Sequence, residues 1–497
     1  MDERVAAVEQ QGKHRSSLVR VLAFAACCLL AALVLLVPVA AADAPATPDE
    51  AGLPFIRNFD PRSYGAAAQN WSLAQDRQGV IYVGNVDGAV LAFDGVRWQR
   101  IPVPNRAAVR SLALGADGRI YVGTVGDLGY LQPDASGQLG FVSLRDKIPP
   151  SERDFADVWS IHPAADGVFF ATTTQLFRYR DGAMEVWKPK TSFHLSFLVD
   201  GKLYIRETGL GLMQLDRGRL ELSPGGSRFA DEKIYALLPW RGPGAQPGDL
   251  LVGTRTQGWF IRHGDSYRPW TTEADAAIRK SQLYNASWLA DGRLAAGTLR
   301  SGLFLLDTQG HLLRTLTRGS GLTTNMMLAQ LQDREGGLWI AAGNGISRID
   351  LGSPLTRYAE RGGLPDGVVA LQRHAGTLYA GTSDGLYRLM AGADAHFERL
   401  PQVTGQIWGF AEVDDQLLVA SSDGVFALAG DVFRQLLDTH QNARSTSALS
   451  LRRSTRDPAR VFVGYPDGIG TLRHEGGRWI DEGRIAGVRQ EVRTIRQ

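Results

Sequence analysis

The sequence predicts an all-β protein of the β-propeller class, and three observations lead to this prediction. A pattern of turn, apolar strand and glycine-rich turn, best formed at Asp333–Ile346, recurs along nearly the whole chain. The copies follow one another about every 42 residues, within the ~40–50 residues of propeller blades. One further strand, Phe55–Phe59, precedes the first copy without belonging to it.

Ten copies align on one position near the end of the apolar strand, which is Ala341 in the best copy and a Gly or Ala in nine of the ten. An aromatic residue stands two positions earlier in most copies, as Trp339 does here. The other aligned residues are Gly84, Gly123, Ala171, Arg206, Gly253, Gly297, Gly381, Ala420 and Gly464.

Each copy has the pattern of four short strands joined by tight turns. Asp-Gly pairs such as Asp117-Gly118 and Asp384-Gly385 mark the turns, because Gly accepts a positive φ and Asp bonds nearby backbone. The inner strands are almost continuously apolar, which is typical of sheets covered on both faces. A single sheet cannot cover itself, so the copies are expected to stack radially.

Seven copies suffice for a first ring, which we place at residues 53–352, with Phe55–Phe59 completing its seventh blade. Residues 353–497 are predicted to form a partial second propeller of about three blades, with an outer strand at Leu355–Tyr358. The last residues, Glu491–Gln497, have the pattern of an opening strand of an eleventh copy. Because three blades do not close a ring, we expect either a fragment of a longer protein or a poorly stable second half.

Residues 1–50 form a separate segment. Basic residues precede an uncharged run of 22 residues, Val21–Ala42, and small residues follow it. This pattern predicts a signal peptide, and Pro38 near its end favours cleavage. The run is also long enough for a membrane anchor, so both readings stay open. Either one places the remainder of the chain in the periplasm, released or anchored to the inner membrane.

The composition narrows the classes of partner. Lys and Arg total 54 and Asp and Glu total 52, giving a net charge of +2. Without a basic excess or a basic block, a nucleic-acid partner is not predicted. Both cysteines, Cys27 and Cys28, lie in the N-terminal segment, so neither a disulfide nor a cysteine metal site is expected in the exported part.

The repeat resembles the two-component-regulator propeller repeat, whose core reads D-x-x-G-x-L-W-x-G-T-x-x-G-L. Asp333–Ile346 matches it with Ala341 and Ala342 in place of Gly-Thr, and Asp76–Val90 and Gly376–Tyr387 match more weakly. The resemblance implies a large bacterial receptor with two propellers outside the inner membrane and a kinase, diguanylate cyclase or DNA-binding output inside. None of the motifs of those outputs occurs in these 497 residues.

Motifs for catalysis are weak. Gly381–Gly385 matches the G-x-S-x-G nucleophile elbow, but it lies in a strand-to-strand turn instead of the strand-to-helix turn that the elbow requires. A phosphate-binding loop and metal-binding spacings are absent from the sequence, and the nine histidines are scattered. We therefore predict no catalytic residue, no metal and no cofactor. Acid and base groups that converge from distant copies would escape sequence inspection.

Ligand binding is predicted at one face of the first ring. The position that opens the innermost strand holds an aromatic or cationic residue in the first six copies, and these residues would surround the mouth of one channel. Aromatic faces stack on sugars or planar ligands, and Arg suits carboxylates. Turns between the second and third strands add polar residues at the same face. The candidates are Trp71, Arg110, Asp127, Trp159, His194, Glu207, Tyr235, Arg255, Tyr284 and Arg300.

The predicted function is an extracytoplasmic ligand-sensing module of a bacterial signalling receptor, without an output domain in this chain. Its expected partners are a small molecule, with oligosaccharides as one class, the membrane through the N-terminal segment, and a second copy in a homodimer. Two alternatives remain: a propeller enzyme of lyase or glycosidase type, and a secreted scaffold that binds protein.

Overall fold

The computed structural model describes residues 50–365, 367–392, 394–430, 432–438 and 447–496. The predicted signal peptide or anchor lies outside these residues. Within them, forty strands form ten antiparallel sheets of four strands each, so the predicted β-propeller fold is confirmed. No helix in this part of the chain has the length and apolar character needed to cross a membrane.

The first seven sheets contain strands β1–β28. In chain order these are β1 (Phe55–Phe59), β2 (Asn70–Gln75), β3 (Ile81–Asn85), β4 (Ala89–Phe93), β5 (Trp98–Pro102), β6 (Val109–Leu114), β7 (Ile120–Thr124), β8 (Leu128–Pro133), β9 (Leu139–Ser143), β10 (Ser160–Ala164), β11 (Gly167–Ala171), β12 (Leu176–Arg180), β13 (Ala183–Trp187), β14 (Phe193–Val199), β15 (Lys202–Glu207), β16 (Gly211–Asp216), β17 (Arg219–Leu222), β18 (Ile234–Pro239), β19 (Leu250–Thr254), β20 (Trp259–His263), β21 (Ser266–Trp270), β22 (Leu283–Trp288), β23 (Leu294–Thr298), β24 (Leu303–Leu306), β25 (Leu312–Leu316), β26 (Met327–Gln332), β27 (Gly337–Ala342) and β28 (Ile346–Asp350).

The last three sheets contain the remaining strands. They are β29 (Val368–His374), β30 (Thr377–Thr382), β31 (Gly385–Met390), β32 (His396–Leu400), β33 (Ile407–Val413), β34 (Gln416–Ser421), β35 (Gly424–Ala429), β36 (Val432–Asp438), β37 (Ser450–Arg453), β38 (Arg460–Tyr465), β39 (Gly468–Glu475) and β40 (Arg478–Arg484). Two short helices, α1 (Pro61–Tyr64) and α2 (Asp275–Ser281), lie in loops of the first seven sheets.

The first seven sheets form a closed ring. Their innermost strands contact one another in succession from β2 through β6, β10, β14, β18 and β22 to β26, and β26 contacts β2 again. The innermost strands of the last three sheets, β29, β33 and β37, also contact in succession. In this arc β29 leaves Val368, Val369 and Leu371 exposed by 42%, 45% and 59%, as expected for an inner strand without a neighbour on one side.

Strand β1 closes the ring. It pairs with β28 in the seventh sheet, from Phe55 opposite Asp350 to Phe59 opposite Ile346. Asn58 adds side-chain bonds, since its Nδ2 donates to the Gly321 carbonyl at 2.7 Å and its Oδ1 accepts from the Ser347 hydroxyl at 2.7 Å. The seventh sheet therefore combines the beginning and the end of the ring's sequence.

The recurring Asp and the recurring aromatic residue hold each other in place. Asp76 accepts hydrogen bonds from the backbone N–H of Val80 at 2.9 Å and from the Tyr82 hydroxyl at 3.0 Å. In the seventh sheet Asp333 accepts from Trp339 Nε1 at 2.8 Å. The aromatic residue thus has a polar partner in the turn that precedes its strand, which explains why the two recur together.

The aligned glycines allow neighbouring sheets to approach closely. A Cβ at Gly84 would lie 2.4 Å from Ser72 Oγ and 2.9 Å from Val109, and one at Gly123 would lie 2.4 Å from Ser111 Oγ. These distances are shorter than any Cβ contact allows, so only Gly can be accommodated at these positions. The apolar core lies between sheets, where Val90, Val109 and other side chains are fully buried.

Two strand predictions in the second part are wrong. Leu355–Tyr358 is not a strand of a sheet; within it, Arg357 forms an isolated bridge with Leu53 ahead of β1. The segment at Glu491–Gln497 is irregular over its described residues, and Val492 donates its N–H to the Tyr465 carbonyl at 2.9 Å. Both segments have strand-like sequences, but each makes isolated backbone hydrogen bonds to another part of the chain instead of pairing along a sheet.

Candidate functional site

A β-bulge at the start of the innermost strands presents the channel residues. Pairing with the second strand skips one residue between Asn70 and Ser72 and between Val109 and Ser111, and equivalent shifts occur in the fourth to seventh sheets. A bulge re-aims the side chain of its extra residue. The residues at the shifts are Trp71, Arg110, His194, Tyr235, Tyr284 and Leu328.

These residues surround a cavity of about 550 Å³ in the first ring. The third sheet contributes Trp159, which precedes β10 and donates its N–H to the Ala171 carbonyl at 2.9 Å. Six predicted residues line the cavity together: Trp71, Arg110, Trp159, His194, Tyr235 and Tyr284.

Arg110 is held by two indoles and one carboxylate. Its guanidinium carbon lies 4.3 Å from the ring centroid of Trp71 and 5.1 Å from that of Trp159. Its Nε donates to Asp157 Oδ1 at 2.5 Å, and both side chains of this ion pair are largely buried. Cation–π contacts strengthen where water is excluded, so the guanidinium has a fixed position beside the cavity.

Three further aromatic side chains line the cavity from the fourth, fifth and sixth sheets. His194 and Tyr235 meet edge to face at 5.1 Å, and Tyr235 and Tyr284 lie 5.2 Å apart. Burial raises the pKa of Tyr235, and burial together with Tyr235 raises the pKa of Tyr284 to about 12. Both hydroxyls therefore keep their protons at neutral pH and can donate as well as accept hydrogen bonds.

His194 is neutral at physiological pH. Burial, and then the charges of Lys233, Arg206 and Arg255, lower its pKa from 6.5 to about 4. Within the described residues no partner reaches its Nδ1. The imidazole is therefore a polar, uncharged wall of the cavity.

The pKa of His194 predicts a pH-dependent contribution to stability. The unfolded chain takes up a proton near pH 6.5 and the folded chain only near pH 4, so the stabilising effect is complete above pH 6.5 and is lost as the pH falls towards 4. We expect the melting temperature of His194→Gln to fall less than that of wild type between pH 7 and 4.5. Parallel curves for the two proteins would contradict this expectation.

The four other predicted residues lie outside the cavity lining. Asp127 accepts from the Leu128 N–H and the Ser143 hydroxyl, both at 2.7 Å. Arg300 is exposed. Neither of them is among the residues that line the cavity.

Glu207 and Arg255 are bonded within neighbouring loops. Glu207 is 2% exposed and accepts from the backbone N–H groups of Lys190 and Thr191. Arg255 donates to Gln282 Oε1 at 2.7 Å and to the Tyr235 hydroxyl at 3.4 Å. It therefore helps to position Tyr235, which lines the cavity.

Sequence reasoning missed several lining residues, among them Lys233, Thr173 and Gln330. Lys233 lies directly before β18, two positions ahead of Tyr235. An inspection of the loop residues that precede each innermost strand would have included it among the candidates. Neither Thr173 nor Gln330 has a distinguishing sequence signal. Among the described residues, no group of three His, Cys, Asp or Glu side chains is placed to hold a metal ion.

The fold and the cavity define a β-propeller with an aromatic-lined channel. No protein-family model matches the sequence, and no curated protein matches it. Among solved structures, the extracellular domain of BT3049, named as a hybrid two-component system of B. thetaiotaomicron, has 14% identity and a TM-score of 0.65, over 87% of this chain and 61% of that one. The extracellular domain of BT4673 from the same bacterium has 18% identity and a TM-score of 0.47, over 87% and 61%.

The likeness to BT3049 shows a shared fold, so the resemblance to two-component-system propellers is confirmed at that level. The chain spans 61% of the length of both solved domains.

Proposed function

We propose that this chain is an extracytoplasmic ligand-sensing propeller of a bacterial signal-transduction receptor, and that its first ring binds a small molecule in the channel. The observation that carries the proposal is the cavity of about 550 Å³ with aromatic and cationic residues presented by bulges at equivalent strand positions. The volume is in the ~300–1,000 Å³ range of small-molecule sites. The shared fold with an extracellular receptor domain supports the location and the class of protein.

The lining favours binding over catalysis. Acid and base catalysis usually employs carboxylates or a histidine that titrates near neutral pH. Among the described residues that line the cavity there is no Asp or Glu, and burial keeps His194 neutral down to about pH 4. Aromatic rings and fixed polar groups are instead the usual components of a recognition site. The proposed ligand class is a small molecule with an apolar ring face, oligosaccharides included.

A thermal-shift experiment tests the proposed function. The purified full chain is heated with neutral and acidic oligosaccharides, and at least one of them is expected to raise the melting temperature. A ligand at 100 times its Kd stabilises the folded state by about 2.7 kcal/mol. No shift with any member of a broad saccharide panel would count against sugar sensing.

Trp159→Ala is expected to reduce the ligand-induced shift by about half or more while leaving the ring folded. The substitution removes one indole beside the cavity and frees the Arg110 guanidinium. We expect the ligand to bind at least about tenfold more weakly, which corresponds to ~1.4 kcal/mol.

The matched control is Trp479→Ala in β40 of the last sheet, which also removes an indole but lies outside the first ring. Its melting temperature is expected to fall, because Trp479 stacks on His474 and donates to Gln416, while the ligand-induced shift persists. Equal ligand shifts in both variants would refute binding in the channel.

A further inference from the structure

The charges of the cavity wall have one sign. Its lining includes the cations Arg110 and Lys233, and no carboxylate among the described lining residues. Asp157 occupies only the Nε side of Arg110. The two acidic candidates, Asp127 and Glu207, are outside the lining; Asp127 accepts from the Leu128 N–H and Glu207 from the Thr191 N–H. A cleft lined by one sign of charge attracts ligands of the other sign.

Two buried donors beside the cavity lack partners. Within the described residues, no acceptor reaches Arg110 Nη1 or Trp71 Nε1, although each side chain lines the cavity. A guanidinium has five N–H donors and an indole has one, and neither group can accept. Both nitrogens are enclosed by protein atoms, so a ligand that supplies acceptor oxygens would meet the part of the Arg110 side chain that is exposed to the cavity, 17% of it.

The other end offers apolar ring faces. Tyr235 and Tyr284 lie across the cavity from the indoles and keep their hydroxyls protonated. Trp71 and Trp159 are already occupied by the Arg110 guanidinium. A ligand ring would therefore rest against the tyrosines, with its anionic group directed at Arg110.

We propose that the channel binds a carboxylate carried on a ring, with the carboxylate on the exposed part of Arg110 and the ring against Tyr235 and Tyr284. This inference rests on the proposed ligand-sensing function and specifies its ligand chemistry. A uronic-acid sugar and an aromatic acid both have this chemistry. Lys233 at the exposed edge adds a second positive charge for an approaching anion.

The proposal is tested by isothermal titration calorimetry of the full chain with two pairs of ligands, each an acid and its neutral counterpart. One pair is trigalacturonic acid and its methyl ester, and the other is benzoate and benzamide. At least one acid is expected to bind roughly ten- to a hundredfold more tightly than its neutral counterpart, as for hydrogen bonds to charged groups. The pair that shows the difference identifies the source of the carboxylate.

Three variants locate the effect. Arg110→Gln is expected to abolish the preference for the acid, and Lys233→Gln to weaken acid binding roughly two- to fivefold. Arg268→Gln removes one exposed charge from the outer strand β21 and is the matched control, with unchanged binding expected. If Arg110→Gln fails to fold, Lys233→Gln still tests the proposal, because its side chain is exposed.

Equal binding of acids and neutral counterparts would overturn the carboxylate inference and leave ligand sensing intact. Binding of none of the four probes would also overturn it, and the saccharide panel then decides independently on sensing. An acid preference that survives Arg110→Gln and Lys233→Gln would place the carboxylate elsewhere and refute the assignment.

Discussion

Replacing Phe59 by alanine is expected to lower the free energy of unfolding by about 3–5 kcal/mol, the usual cost of truncating a buried phenylalanine. Phe59 is 4% exposed and stacks on Trp339 at 5.5 Å with an interplanar angle of 10°. It also meets Phe93 at 5.1 Å and Trp98 at 5.3 Å. One side chain of the closing strand therefore joins the seventh sheet to the first.

The experiment is urea unfolding followed by circular dichroism. Phe55→Ala is the matched control, because Phe55 lies in the same strand but is 44% exposed. We expect it to cost less than about 1 kcal/mol, as most surface substitutions do. Similar losses for Phe55→Ala and Phe59→Ala would show that the closing strand does not secure the ring through this contact.

Asp333→Ala is expected to destabilise the protein by about 3 kcal/mol. The Asp333 side chain is 3% exposed and accepts from the Gly337 N–H at 2.6 Å, Trp339 Nε1 at 2.8 Å and Arg348 Nε at 2.9 Å. Alanine would leave three donors without their acceptor, and removing one partner of a buried ion pair typically costs ~3–5 kcal/mol. Because Arg348 is 29% exposed, water offsets part of that cost.

Asp291→Ala is the control for this prediction. Asp291 occupies the equivalent turn of the sixth sheet, pairs with Arg293 and is 45% exposed. An exposed ion pair contributes about 0–1 kcal/mol, so the midpoint of urea unfolding should move little. If the two alanine variants unfold at the same urea concentration, the buried network around Asp333 does not stabilise the seventh sheet.

The blades were predictable because their defining interactions are local. Asp76 and Tyr82 are six residues apart, as are Asp333 and Trp339, so each turn leaves a short signature in the sequence. The close approach at Gly84 also recurs at a fixed position. Because these local interactions recur along the chain, the propeller could be predicted without any knowledge of long-range contacts.

The candidate site was predictable only in part. The six channel residues could be found because they occupy one repeat position, but the bulges that present five of them depend on pairing between strands. The directions of Asp127 and Glu207 depend on partners 16 or 17 residues away, such as Ser143 and Lys190. No pattern of residue types distinguishes a turn carboxylate that faces the channel from one that accepts hydrogen bonds from nearby loops and strands.

The pairing of β1 with β28 also sets the order in which the ring can fold. Phe55 and Asp350 are about 295 residues apart in sequence, so at a synthesis rate of ~5–20 residues per second β1 waits roughly 15–60 s for its partner. Joining distant segments has an entropic cost that local hairpins avoid. The hairpins of each blade can therefore form as soon as they are synthesised, while closure of the seventh sheet must wait for β28.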